Sequence, residues 1–135
     1  MGPGQSVSQA VFRTVLADDV ADLRLLYRVV LERSGRFQVV AEAVDGVEAV
    51  EYATRHQPDL VLLDVAMPNM DGITALPGIV SASPHTKVVM LSAFERRRLN
   101  DVAEAGGASR YLEKGITPAQ LVEELLTVME DRVSS

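Results

Sequence analysis

Short apolar runs and longer amphipathic stretches take turns along the chain. The runs are Val15-Leu16-Ala17, Val39-Val40-Ala41, Leu60-Val61-Leu62-Leu63, Val88-Val89-Met90-Leu91 and the shorter Tyr111-Leu112. Several are apolar throughout rather than alternating, which is the pattern of strands covered on both faces. Strands are therefore expected at 13–17, 37–43, 60–63, 87–91 and 109–112. Between them the apolar positions recur with the helical period. Leu23, Leu26, Tyr27, Val30 and Leu31 trace one buried face, and Leu121, Leu125, Val128 and Met129 another. Residues 45–56 place Val47, Val50 and Ala53 inward and Glu48, Glu51 and Arg55 outward. Residues 95–105 form a further helical pattern around Leu99 and Val102. Asp45-Gly46 and Thr117-Pro118 supply helix-start chemistry.

The third helix is the weak point of this reading. It is expected between residues 72 and 81, with Pro77-Gly78 in its middle. Proline removes a backbone donor and glycine is a poor helix former. The expectation is a helix that is short, kinked or late-starting, with Pro77 in its first turn. The count is five βα units in strict alternation. Right-handed crossovers then produce an α/β fold, a doubly wound parallel sheet with helices on both sides. Residues 12–132 are expected to form this one domain. Residues 1–11, rich in Gly, Ser and Gln, read as a flexible tail, and 133–135 as a tail or the start of a linker.

Composition narrows the function. With 135 residues there is room for one compact domain with a real core. There is no cysteine, which excludes disulfides, thiolate metal sites and cysteine catalysis and suits a reducing cytoplasm. No apolar run approaches the length of a membrane span, and the N-terminus lacks the pattern of a signal peptide. The net charge of −6 is repelled by phosphate backbones, so direct nucleic-acid binding is not expected.

The chemistry lies at the ends of the strands. Asp18 and Asp19 follow the first, Asp64 the third, Ser92 ends the fourth and Lys114 lies past the fifth. In an open parallel sheet these ends form one edge, where ligands bind at the switch in strand order. Three carboxylates gathered there repel one another unless protons or a metal relieve them. A small hard cation with oxygen ligands, Mg²⁺ above all, suits that set and suits phosphoryl chemistry. A carboxylate can attack phosphorus, with the metal and an ammonium offsetting the charge of the transferring oxygens. Each residue taken alone has a plainer reading: Asp18-Asp19 as a helix cap, Asp64 as a loop cap, Lys114 as a solvated lysine. Arg96-Arg97-Arg98 reads as a solvated helix face or a partner contact, and His56 and His85 as ordinary surface or loop residues.

The run Asp64-Val65-Ala66-Met67-Pro68-Asn69-Met70-Asp71-Gly72 resembles the D-x-x-M-P-x-M-D-G signature of response-regulator receiver domains. Leu16-Ala17-Asp18-Asp19, Leu91-Ser92-Ala93 and Tyr111-Leu112-Glu113-Lys114 resemble other segments of the same family, and the likeness spans residues 13–132. It implies a flavodoxin-like (βα)5 fold with strand order 2-1-3-4-5. It implies Asp64 as phosphoacceptor and Mg²⁺ held by Asp19, Asp64 and the backbone carbonyl of Ala66, with Asp18 mainly through water. It further implies Lys114 and Ser92 as phosphoryl contacts, and Ser92 with Tyr111 as a switch. In the family, Tyr111 corresponds to a ring that turns inward on phosphorylation. An ordinary strand aromatic is the equal alternative. The implied donor is a sensor histidine kinase. A homodimer through the fourth helix, fifth strand and fifth helix is the implied partner mode. The detail of 39–46 and 111–115 is most similar to LuxR/NarL-type regulators, which implies a transcriptional output through a DNA-binding domain outside this chain. No enzymatic turnover beyond self-phosphorylation and autodephosphorylation is expected.

Some positions depart from the pattern. Ala66 and Phe94 occupy positions that vary in the family, Gly115 replaces the usual proline, and Gly106-Gly107 doubles a single glycine. Other functions compete. An aspartyl-nucleophile phosphatase resembles D-x-D at the nucleophile, and Ala66 argues against it. An FMN binder needs a phosphate loop where Asp18-Asp19 would repel the ligand. A stand-alone receiver and a phosphorylation-independent adaptor both remain open.

Overall fold

The computed structural model describes residues 9–93 and 106–130. Within them the chain runs β1 (Phe12–Ala17), α1 (Ala21–Arg33), β2 (Phe37–Ala43), α2 (Gly46–His56), β3 (Leu60–Asp64), α3 (Gly72–Ala82), β4 (Lys87–Ser92), β5 (Arg110–Glu113) and α4 (Pro118–Met129). All strand pairs are parallel and the sheet order is 2-1-3-4-5, as the family likeness implied. The helix expected at 95–105, the Arg96-Arg97-Arg98 run and Phe94 lie outside the described residues. So do residues 1–8 and 131–135.

The apolar runs acquire their physical reason here. Successive strand residues point to opposite faces, and both faces are covered. Val15, Ala17, Val61, Leu63, Val88 and Met90 pack with Ala49 and Ala53 of α2 and Ala75, Leu76 and Ile79 of α3. Leu16, Leu60, Leu62, Val89, Leu91 and Leu112 pack on the other side with Leu31 of α1 and Leu121, Leu125 and Val128 of α4. A strand between two cores favours apolar residues at nearly every position. Of the buried polar residues in these strands, Asp64 and Ser92 end β3 and β4, and Thr14 lies in the first half of β1.

The helix faces need correction in two places. Leu26 is half-exposed, and Leu31 is the buried residue of α1. Five residues of helix turn the two about 140° apart, so they cannot share one buried stripe. Val47 is likewise exposed, whereas Gly46, Ala49 and Ala53 are buried, at i, i+3 and i+7.

Helix α3 is neither short nor late-starting. It runs from Gly72 through Pro77 to Ala82, capped by Asp71, whose side chain accepts from the Thr74 amide at 2.7 Å. Pro77 sits at the sixth helical position rather than in the first turn, and its ring faces solvent. Burial of Ala75, Leu76 and Ile79 around it outweighs the lost donor. Gly78 serves the packing, because a Cβ there would press to 3.2 Å from Val50 of α2. Strand β5 lies one residue later than expected, at 110–113.

Candidate functional site

The ends of β1, β3 and β5 bring the acidic and basic groups together. One carboxylate oxygen each from Asp18, Asp19 and Asp64 lies within 4.8 Å of the others. The Lys114 ammonium reaches Asp64 Oδ1 at 3.1 Å and Asp18 Oδ2 at 3.2 Å. Local structure fixes each group. The Asp18 amide continues the sheet by donating to the Ala43 carbonyl at 3.0 Å. Asp18 Oδ1 accepts from the Val20 amide at 2.9 Å. Arg24 Nη1 donates to the Asp18 carbonyl at 2.7 Å, and Arg24 is itself paired with Glu42 at 3.1 Å. Both carboxylate oxygens of the buried Asp18 are therefore engaged by protein, whereas Asp19 is exposed.

Asp64 is the buried last residue of β3. Its Oδ1 also accepts from the Ala66 amide at 3.3 Å. Immediately behind it, α3 starts so close that a Cβ on Gly72 would lie 2.2 Å from the Asp64 carbonyl oxygen. Glycine at 72 is thus a steric requirement. Ser92 is wholly buried at the end of β4, and its carbonyl accepts from the Lys114 amide at 2.7 Å, which ties the β5 exit to β4. Gly115 then takes φ +100°, with no cis peptide bond among the described residues. Tyr111 is buried in the core cluster on the α2–α3 side. Its ring is inward in this conformation.

Charge and burial oppose each other at this edge. Burial raises the Asp64 pKa, the Asp18 charge raises it further, and Lys114 and the Ala66 amide only partly compensate. For Lys114, burial works against the charged form, yet the Asp64 and Asp18 carboxylates outweigh it and raise its pKa above the ordinary lysine value. Tyr27 of α1 feels the same charges: burial raises its pKa, Lys114 lowers it, and Asp18 and Asp64 raise it. An open pocket lies beside the carboxylates, lined by Asp19, Val65, Ala66, Met67, Pro68 and Asp71. Oxygen donors alone, crowded and partly protonation-prone, match the ligand set of a small hard cation.

The family model of the response regulator receiver domain matches residues 14–126. The chain belongs to the response regulator receiver family. Among receiver relatives, the chemotaxis protein CheY of Bacillus subtilis is 36% identical over 113 residues, 84% of this chain and 93% of that protein. The transcriptional regulatory protein PdtaR of Mycobacterium tuberculosis is 42% identical over 122 residues, 90% of this chain and 58% of PdtaR. The solved signal receiver domain of NarL from Mycobacterium tuberculosis superposes with a TM-score of 0.85 at 33% identity. It covers 91% of this chain and 99% of that one. The NarL-type likeness read from the sequence is thereby supported by a structure.

This receiver brings together Asp18, Asp19, Asp64 and Lys114 as the sequence predicted. Ala66 lines the adjoining pocket, and Ser92 and Tyr111 stand on the neighbouring strands. Sequence reasoning missed Arg24, which nothing in a helical pattern marks as a partner of the Asp18 carbonyl. It also missed the contact between Asp45 and Asn69. Asp45 was visible only as a helix cap and Asn69 only as one of the variable positions of the signature.

Proposed function

We propose that this receiver accepts a phosphoryl group on Asp64 from a sensor histidine kinase, with Mg²⁺ held at the acidic edge, and relays that event through its surface. The observation that carries the reading is the convergence of Asp18, Asp19 and Asp64 around one point, with Lys114 on two of them. Asp19, Asp64 and the Ala66 carbonyl would hold the ion, with Asp18 acting through water. When bound, the ion neutralises carboxylate repulsion and the charge on the phosphoryl oxygens. An Asp64 carboxylate oxygen forms the new bond to phosphorus. The phosphorus–nitrogen bond to the donor histidine breaks, and its electron pair stays on the imidazole, which takes up a proton. Lys114, already between Asp64 and Asp18, shifts to the transferred oxygens. Ser92 contributes its hydroxyl to the same group, and the β5 edge follows the rearrangement, with the Tyr111 ring already inward beforehand. The phosphoryl group adds about −1.5 to −2 charges, enough to bias a two-state element.

The domain turns over no substrate beyond its own phosphoryl group, and the cytoplasmic setting expected from the cysteine-free composition goes with this reading. Two outputs are compatible with the relatives. A receiver acting by partner binding is compatible with the likeness to the chemotaxis protein CheY. PdtaR extends well beyond the matched part, which favours transcriptional control through a further domain.

The test is incubation with a small acyl phosphate, with and without Mg²⁺. The expected result is a mass increase of one phosphoryl group that needs the ion and is absent in Asp64→Asn. Ion-independent labelling, or labelling that survives in Asp64→Asn, refutes the assignment.

A further inference from the structure

The loop between β3 and α3 carries a strained turn. Asn69 has φ +65°, a region that few residues other than glycine enter. The Met70 amide donates to the Pro68 carbonyl at 2.7 Å. Asn69 is thus the centre of a three-residue γ-turn of the rarer, strained hand. Such geometry persists where its surroundings over-determine it, and here they are visible. Asn69 Nδ2 donates to Asp45 Oδ2 at 2.7 Å. The Gly46 amide donates to the Met70 carbonyl at 2.7 Å. A Cβ on Gly46 would lie 2.5 Å from that same carbonyl oxygen, so the start of α2 approaches the loop as closely as only glycine permits.

Asp45 is itself held in place. Its Oδ1 caps α2 by accepting from the Glu48 amide at 2.9 Å, and the Glu48 carboxylate returns to the Val44 amide at 3.0 Å. The Glu48 amide and then the Asn69 amide group hold the Asp45 carboxyl below the usual carboxylate range. One oxygen secures the helix and the other secures the loop. The loop is the wall of the pocket, through Val65, Ala66, Met67, Pro68 and Asp71. β3 anchors its start and the α3 cap anchors its end. The Asn69 turn therefore sets the course of the chain between them.

We infer that the Asp45–Asn69 clasp is a positioning device for the metal and phosphoryl pocket, holding the β3–α3 loop, and the Ala66 carbonyl with it, in register with the carboxylates. The inference rests on the phosphoacceptor reading above. Neither Asp45 nor Asn69 is a ligand; both act through the loop.

Two variants separate the clasp from the fold. Asp45→Ser keeps a strong helix cap but is too short to reach Asn69. Asn69→Gly releases the clasp yet tolerates positive φ. On the full chain, calorimetric titration with Mg²⁺ is paired with hydrogen exchange at the Ala66 and Met70 amides. Each variant is expected to weaken Mg²⁺ binding roughly tenfold, as loss of an outer-shell partner does. Both amides are expected to exchange faster, and the double variant is expected to be no weaker than the worse single one. Wild-type affinity in both variants, or unchanged exchange, overturns the clasp while leaving the phosphoacceptor reading intact. A wild-type chain that takes up no Mg²⁺ overturns that reading and the inference with it. Faster exchange in the variants would then report a loop restraint and nothing more.

Discussion

Removing the charge of Asp64 should make the metal-free protein more stable while destroying its proposed function. Asp64 is 4% exposed, with two carboxylates within 4.8 Å and one ammonium at 3.1 Å. At an effective dielectric constant of about 20, each repulsion is worth roughly 3.5 kcal/mol and the attraction about 5 kcal/mol. The balance runs against the ion by about 2 kcal/mol, and solvent around the exposed Asp19 trims it further. Burial of the charge adds in the same direction and is the largest cause of the raised pKa. Asp64→Asn, whose amide oxygen still accepts from the Ala66 amide, is therefore expected to gain about 1–2 kcal/mol at neutral pH and low salt.

The assay is urea unfolding of both proteins across pH without divalent ions. Because the folded-state pKa of Asp64 is raised, the folded wild type binds the proton more tightly than the unfolded chain. Wild-type stability then recovers as pH falls through that raised pKa. The gap between variant and wild type is full above it and closes below the ordinary carboxylate value. Saturating Mg²⁺ should narrow the gap at neutral pH, because the ion binds the folded wild type preferentially. A variant less stable than wild type, or a gap that is flat with pH, refutes the electrostatic account.

Gly72→Ala is expected to cost more than about 3 kcal/mol, or to yield insoluble protein, because the new Cβ meets backbone 2.2 Å away; urea midpoints report it. Pro77→Ala restores a donor to the Ile73 carbonyl at an exposed helical position and is expected to raise stability by about 1 kcal/mol, read as a higher melting temperature. Lys114→Met removes two ion pairs and leaves two buried carboxylates uncompensated. It is expected to cost about 2 kcal/mol near neutrality, after allowance for its partial exposure. The Lys114 pKa is raised, so its contribution is present below the ordinary lysine value and lost as pH rises through the folded value. Unfolding curves of variant and wild type should therefore converge in strong alkali.

Much of this architecture was written in local pattern. Runs such as Leu60-Val61-Leu62-Leu63 announced strands buried on both sides, because side chains that alternate between two dry faces favour apolar residues on both. Five such runs separated by helical stretches determined a parallel sheet. Parallel strands gather their C-terminal ends on one edge, so Asp18, Asp19, Asp64 and Lys114 had to be neighbours. Only the tertiary structure decided the rest. Whether α3 survives Pro77 depended on the burial of Ala75, Leu76 and Ile79 against the sheet, a gain that helix propensity does not contain. Which side of α1 faces inward depended on its rotation about Leu31, since its apolar residues spread too far round the helix for their spacing to choose. The clasp between Asp45 and Asn69 joins residues 24 apart in sequence. Periodicity encodes the torsion angles of one segment; a contact between two loops exists only once the packing of β1, β2 and β3 has set the distance between them.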